Sequence, residues 1–147
     1  MLESQDPELT ILVAEDDDGH AELEMEQLRE AGVRFPMLRF RNGQEALDHL
    51  FPPPGAAGWD GRPCLLLLDL NLPRVDGMTV LRRIKGEAAT RAIPVIILST
   101  ADDPREVAAC YRQGCNFYIT KPVEFQAFSE TMRCLGQFLQ VLQVPRP

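Results

Sequence analysis

Short apolar runs recur along the chain, and each has the length of a buried strand. Thr10–Ala14 is rich in β-branched and aliphatic residues and ends at a group of acids. Cys64–Leu68 is apolar at every position, which is typical of a parallel strand covered on both faces. The predicted strands are Thr10–Ala14, Pro36–Phe40, Cys64–Leu68, Pro94–Leu98 and Asn116–Ile119.

Segments with helical spacing separate these runs. In the first segment Ala21, Met25 and Leu28 recur on one helical face, which we expect to point inward, and Gly32 supplies a stop signal. The predicted helices are Asp18–Gly32, Gln44–Phe51, Gly77–Gly86, Pro104 to about Gly114 with Asp103 as its N-cap, and Glu124–Leu142. The last helix carries a wide apolar stripe: Phe125, Phe128, Met132, Leu135 and Leu139.

The stretch Pro52–Pro63 interrupts this alternation. It holds four prolines and three glycines, so we expect a surface loop in which Trp59 folds back onto the protein. The remaining strands and helices alternate, which predicts βαβ units and one doubly wound α/β domain over residues 1–147, with a core from about 10 to 142. In such sheets, ligands bind beyond the carboxyl ends of the strands.

Composition narrows the class of protein. The chain has 147 residues, is 45% apolar and 25% charged, and carries a net charge of −7. The acidic balance argues against direct binding of nucleic acid, and no apolar stretch is long enough to span a membrane. The N-terminus lacks the pattern of a signal peptide, so we expect a cytoplasmic protein. Four cysteines without a CxxC pair predict packed thiols rather than a zinc site.

Polar side chains follow the predicted strands where each strand ends. Glu15 and Asp16 follow the first, and Asp17 and Asp18 after them are interpreted as helix caps. The later strand ends supply Asp69 with Asn71, Ser99 with Thr100, and Lys121. The fold gathers all of these groups at one edge of the sheet.

This combination predicts phosphoryl chemistry. Clustered carboxylates repel one another, and Mg²⁺ relieves the repulsion because it prefers oxygen ligands. A hard cation, a lysine and a hydroxyl together can stabilise the charge on a transferring phosphoryl group. Asp69 is the best-placed nucleophile because it stands centrally and alone at its strand end.

The motifs also match a known family. The chain resembles the receiver domain of two-component response regulators in ILVAEDD, LLLLDLNLPRVDG, PVIILSTA and YITKP, with 30 residues from Asp69 to Ser99 and 22 from Ser99 to Lys121. The Pro-rich insert, CNFYITKPVEF and the Phe-rich last helix are similar to stand-alone regulators paired with phytochrome-type histidine kinases. The resemblance implies a flavodoxin-like sheet with strand order 2-1-3-4-5.

The resemblance also implies a role for each matching residue. Asp69 would be the phosphoacceptor, and Lys121 would hold the phosphoryl oxygens from a cis Lys121–Pro122 peptide. Mg²⁺ would be held by Asp16, Glu15, Asp69 and the backbone carbonyl of Asn71. Ser99 and the backbone amide of Thr100 would belong to the phosphoryl site with Asp69 and Lys121, and Ser99 and Tyr118 would form the switch that responds to phosphorylation.

The implied protein is a phosphoacceptor switch rather than an enzyme. Its partner would be a sensor histidine kinase, and phosphorylation would alter the surface of the fourth helix, fifth strand and fifth helix for partner binding or homodimerisation. One alternative is a phosphatase of the haloacid-dehalogenase type, which has a second aspartate two residues after its nucleophile, where this chain has Asn71. The other alternative is an inactive receiver-like binding module.

Overall fold

The structure is a computed structural model that describes residues 9–145. Its strands form one parallel sheet with the spatial order 2-1-3-4-5, which confirms the expected topology. The strands are β1 (Thr10–Ala14), β2 (Met37–Phe40), β3 (Cys64–Leu68), β4 (Val95–Ser99) and β5 (Phe117–Thr120).

Five helices connect and follow the strands. They are α1 (Asp18–Glu30), α2 (Gly43–Leu50), α3 (Gly77–Gly86), α4 (Pro104–Arg112) and α5 (Phe125–Val141). Asp17 caps α1 and Asp103 caps α4, each through its side chain, as the sequence predicts. The predicted bounds of the elements differ from these by no more than two residues.

The helices cover both faces of the sheet. Apolar residues of α2, α3 and α4 pack on one face, and those of α1 and α5 pack on the other. Every residue of β3 and β4 is buried, as expected for central parallel strands. Within residues 9–145 no helix is long and apolar enough to cross a membrane.

Two helical faces differ from the prediction. In α1 the buried residues are Ala21, Glu24 and Leu28, so the helix is rotated toward Glu24, and Met25 is only half-buried. In α5, Phe128 is buried with the rest of the predicted stripe, but Phe125 is 60% exposed because it lies in the first turn, beyond the edge of the core.

The Pro-rich segment is a loop that is tied to the body of the protein. Trp59 donates its backbone N–H to the His49 carbonyl at 2.7 Å and its indole N–H to the Arg62 carbonyl at 2.8 Å. Its ring packs against the core face covered by α2, α3 and α4. Trp59 therefore folds back onto the protein, as the sequence predicts.

Gly77 brings the start of α3 against the end of β3. A Cβ atom at this position would lie 2.3 Å from the carbonyl oxygen of Asp69 and 2.6 Å from the Cα of Leu70. The Gly77 N–H donates to the Leu70 carbonyl at 2.9 Å. The absence of a side chain therefore lets α3 support the backbone that carries Asp69.

Candidate functional site

The acids predicted to share one edge of the sheet do so. The Asp69 N–H donates to the Ala14 carbonyl at 3.1 Å, so the ends of β1 and β3 are joined directly. Carboxylate oxygens of Glu15, Asp16 and Asp69 lie within 4.8 Å of one another. Glu15 is buried, Asp16 is exposed, and the Asp69 side chain is 11% exposed.

This group of oxygens fits a hard divalent cation. Three carboxylates at such spacing repel one another unless positive charge is placed between them. Their donor atoms are all oxygens, and the exposure of Asp16 leaves one side open to water, which suits a cation that retains part of its hydration shell. Asn71 lies beside the group and donates its backbone N–H to Asp69 Oδ1 at 3.0 Å.

The side chain of Lys121 brings a positive charge next to these carboxylates. Its Nζ lies 2.8 Å from Glu15 Oε1 and 3.3 Å from Glu24 Oε2. The same atom is 3.5 Å from Asp69 Oδ2. Burial alone would lower the pKa of Lys121, but the surrounding carboxylates outweigh burial and raise the pKa, so the ammonium is firmly protonated.

The expected cis peptide before Pro122 is wrong, because the Lys121–Pro122 bond is trans. Lys121 is held instead by the sheet, since its backbone N–H donates to the Ser99 carbonyl at 2.7 Å. From this position the side chain already reaches the carboxylates, so the contact with Asp69 does not require the cis form.

Glu24 is a member of the site that sequence reasoning missed. Only 2% of the residue is exposed, and Lys121 is its salt-bridge partner. Burial raises the pKa of Glu24 to about 7, against the lowering effect of the Lys121 ammonium. A signal was present: Glu24 lies three residues after Ala21 and four before Leu28, on the face that both residues bury.

Arg39 is a second residue that the sequence did not reveal. Its Nε and Nη2 donate to the Glu15 carbonyl at 3.1 and 2.8 Å, and its Nη1 donates to Asp18 Oδ1 at 2.6 Å. The guanidinium lowers the pKa of Asp18. Arg39 therefore fixes the backbone from which Glu15 and Asp16 project.

The ends of β4 and β5, next to Lys121, carry the remaining predicted residues: Ser99, Thr100 and Tyr118. Ser99 is fully buried, and its hydroxyl accepts the Ala101 N–H at 3.2 Å. Tyr118 is half-buried and donates its hydroxyl to the Ala101 carbonyl at 2.6 Å. Thr100 is exposed and lines a cavity together with Lys121. The predicted switch residues, Ser99 and Tyr118, thus both contact Ala101 in the loop that follows β4, and Thr100 lies in the same loop.

Comparison with known proteins assigns the family. The family model described as the response regulator receiver domain matches residues 11–133. Response regulator Rcp1 of Synechocystis is 35% identical over 146 residues, which is 99% of this chain and 99% of Rcp1. The Mn²⁺-bound form of response regulator Rcp1 aligns with a TM-score of 0.83 at 28% identity, over 92% of this chain and 98% of that one.

Two further solved structures agree. A response regulator receiver domain from Rhodospirillum rubrum aligns with a TM-score of 0.86 at 44% identity, over 93% of this chain and 97% of that one. The phosphorylated cyanobacterial phytochrome response regulator RcpA aligns with a TM-score of 0.80 at 31% identity, over 92% of this chain and 97% of that one. The fold, the cluster of carboxylates and these matches together show that the chain belongs to the response regulator receiver domain family.

Proposed function

We propose that the chain is a stand-alone response regulator that accepts a phosphoryl group on Asp69 from a sensor histidine kinase. The observation that carries this proposal is the position of the Asp69 carboxylate, which belongs to the cluster of carboxylates and lies 3.5 Å from the Lys121 ammonium. The alignment with Rcp1 over 99% of both chains supports the stand-alone form.

In the proposed step an oxygen of Asp69 attacks phosphorus while the bond from phosphorus to the kinase histidine breaks. Lys121 stabilises the negative charge that spreads over the phosphoryl oxygens. The Asn71 N–H, which donates to Asp69 Oδ1, orients the carboxylate for attack. When bound by Glu15, Asp16, Asp69 and the Asn71 carbonyl, Mg²⁺ supplies further positive charge at the transferring oxygens.

Phosphorylation then alters the α4–β5–α5 face. Ser99 and the Thr100 amide bind the new phosphoryl oxygens, and Tyr118 adjusts because its hydroxyl is bonded to the same loop. This face also carries two exposed aromatic rings that favour its use as the surface of a homodimer. They belong to Phe117 and Phe138, which pack edge to face with ring centroids 5.6 Å apart. A shift in a two-state equilibrium is sufficient for such an output.

The proposed kinase partner is of the phytochrome type. The support is the similarity to RcpA, which is described as a phytochrome response regulator. We place this exchange in the cytoplasm. The net charge of −7 disfavours direct contact with anionic surfaces such as nucleic acid and membranes. The chain acts as an acceptor rather than an enzyme, since Asn71 stands where a dehalogenase-type phosphatase has its second aspartate.

The test is incubation with Mg²⁺ and acetyl phosphate, followed by intact mass. We expect the mass of one phosphoryl group to be added to the wild-type chain and to Asp48→Asn, a control at an exposed helical acid. The adduct should be absent in Asp69→Asn and in EDTA. An adduct that persists in Asp69→Asn would refute the assignment of the acceptor. Steady hydrolysis of a phosphomonoester over many turnovers, lost in Asp69→Ala, would favour the phosphatase.

A further inference from the structure

Each N–H donor of the Lys121 ammonium already has a carboxylate as its partner. An ammonium carries three N–H donors, and each has a carboxylate within reach in this structure. The partners of Nζ are Glu15 at 2.8 Å, Glu24 at 3.3 Å and Asp69 at 3.5 Å. Because Lys121 is only 6% exposed, water has little access to it. A phosphoryl oxygen can therefore bind Lys121 fully only if a carboxylate yields its place.

The three carboxylates differ in what else they contact. Glu15 Oε2 accepts the Asp17 N–H at 3.0 Å, and Asp69 Oδ1 accepts the Asn71 N–H at 3.0 Å. Both also belong to the acid cluster. For Glu24, the hydrogen-bond partner of its carboxylate among the described residues is Lys121. A buried carboxylate with one cationic partner is costly to leave unpaired, so Glu24 resists the departure of Lys121.

The position of Glu24 separates it from the reacting atoms. It projects from the buried face of α1 between Ala21 and Leu28, whereas the acid cluster lies at the strand ends. When Asp69 becomes an acyl phosphate, its own negative charge is replaced by that of the phosphoryl group. Where it is ionised, Glu24 keeps its charge and remains a competitor for the same ammonium.

We propose that Glu24 is a positioning residue that slows phosphoryl transfer to Asp69 by competing with the phosphoryl oxygens for the Lys121 ammonium. The inference rests on the proposed acceptor role of Asp69. With acetyl phosphate as donor, the bond from phosphorus to the acetate oxygen breaks, the bond to Asp69 forms, and acetate leaves without transfer of a proton. The competition therefore changes how well Lys121 stabilises the negative charge of the transition state, and it leaves the bonds that break and form the same.

The test is the rate of adduct formation from acetyl phosphate in Glu24→Gln. Glutamine keeps the shape of the side chain, and its carbonyl oxygen can still accept a bond from Lys121, but the competing charge is gone. We expect phosphorylation about three to ten times faster than in the wild-type chain, for one charge removed from a buried site. Glu22→Gln, an exposed acid on the same helix, should change the rate by less than about twofold.

Rates are compared at pH 8, above the pKa of Glu24, and at a Mg²⁺ concentration shown by titration to saturate each variant. This removes any difference in cation affinity. A rate in Glu24→Gln that equals or falls below the wild-type rate overturns the inference, while the wild-type adduct upholds the acceptor role. Absence of the adduct in the wild-type chain overturns both.

A second comparison separates this role from a purely structural one. The effect of Glu24→Gln is measured again in a Lys121→Gln background, with unfolding curves to verify that every variant is folded. If Glu24 acts through Lys121, the acceleration disappears in that background, because no ammonium remains to compete for. An equal acceleration in both backgrounds overturns the proposed route.

Discussion

Replacing Glu24 with glutamine should remove a pH dependence from the stability of the fold. The ordinary pKa of a glutamate is 4.5, and burial raises that of Glu24 to about 7. The folded chain therefore binds this proton more tightly than the unfolded chain does. The stabilisation from this difference is complete below pH 4.5 and is lost as the pH rises through 7. At about 1.4 kcal/mol per pKa unit, the ionised side chain costs the fold about 3 kcal/mol.

The measurement is the free energy of unfolding in urea, in EDTA, from pH 5 to pH 8. We expect the advantage of Glu24→Gln over the wild-type chain to grow by most of about 3 kcal/mol across this range, because the wild-type chain alone must ionise a buried group. Glu22→Gln should follow the wild-type curve, since Glu22 is exposed. Parallel curves for Glu24→Gln and the wild-type chain would refute the argument that burial controls the titration of Glu24.

Two further predictions concern the support of Asp69 and the dimer face. Gly77→Ala should destabilise the fold by about 2 kcal/mol and slow phosphorylation, because the added Cβ would lie 2.3 Å from the Asp69 carbonyl oxygen. The free energy of unfolding and the rate of adduct formation are measured beside those of Gly86→Ala, a glycine with open space around it. Effects no larger than those of Gly86→Ala would contradict the prediction. Phe138→Ser should abolish the phosphorylated dimer in size-exclusion chromatography at an unchanged phosphorylation rate, and a persisting dimer would rule out this face.

The fold was predictable because its central strands are almost entirely apolar. β3 has exactly the predicted bounds, since burial on both faces leaves a run without alternation. β4 was misplaced by one residue because its last member, Ser99, is polar yet pairs with Thr120 across the ladder. Pairing of that kind depends on the neighbouring strand, so a local apolar pattern does not reveal it.

The site was predictable only where strand ends supplied it. Glu15, Asp69 and Lys121 follow apolar runs, and the topology alone brings them together. Glu24 was missed because α1 holds several acids, and its partner Lys121 lies 97 residues away in the sequence. Arg39 was missed for a related reason, since it acts through the backbone of a residue 24 positions earlier.

The anchoring of Trp59 has an optical consequence. Trp59 is the one tryptophan of the chain, and it lies beside Cys64, at the opposite end of β3 from Asp69. Five strand residues span about 17 Å, so indole emission should respond to melting of the fold or release of the insert and stay constant while Asp69 is modified. One sample can therefore give two independent signals, with fluorescence following unfolding and mass following the acceptor.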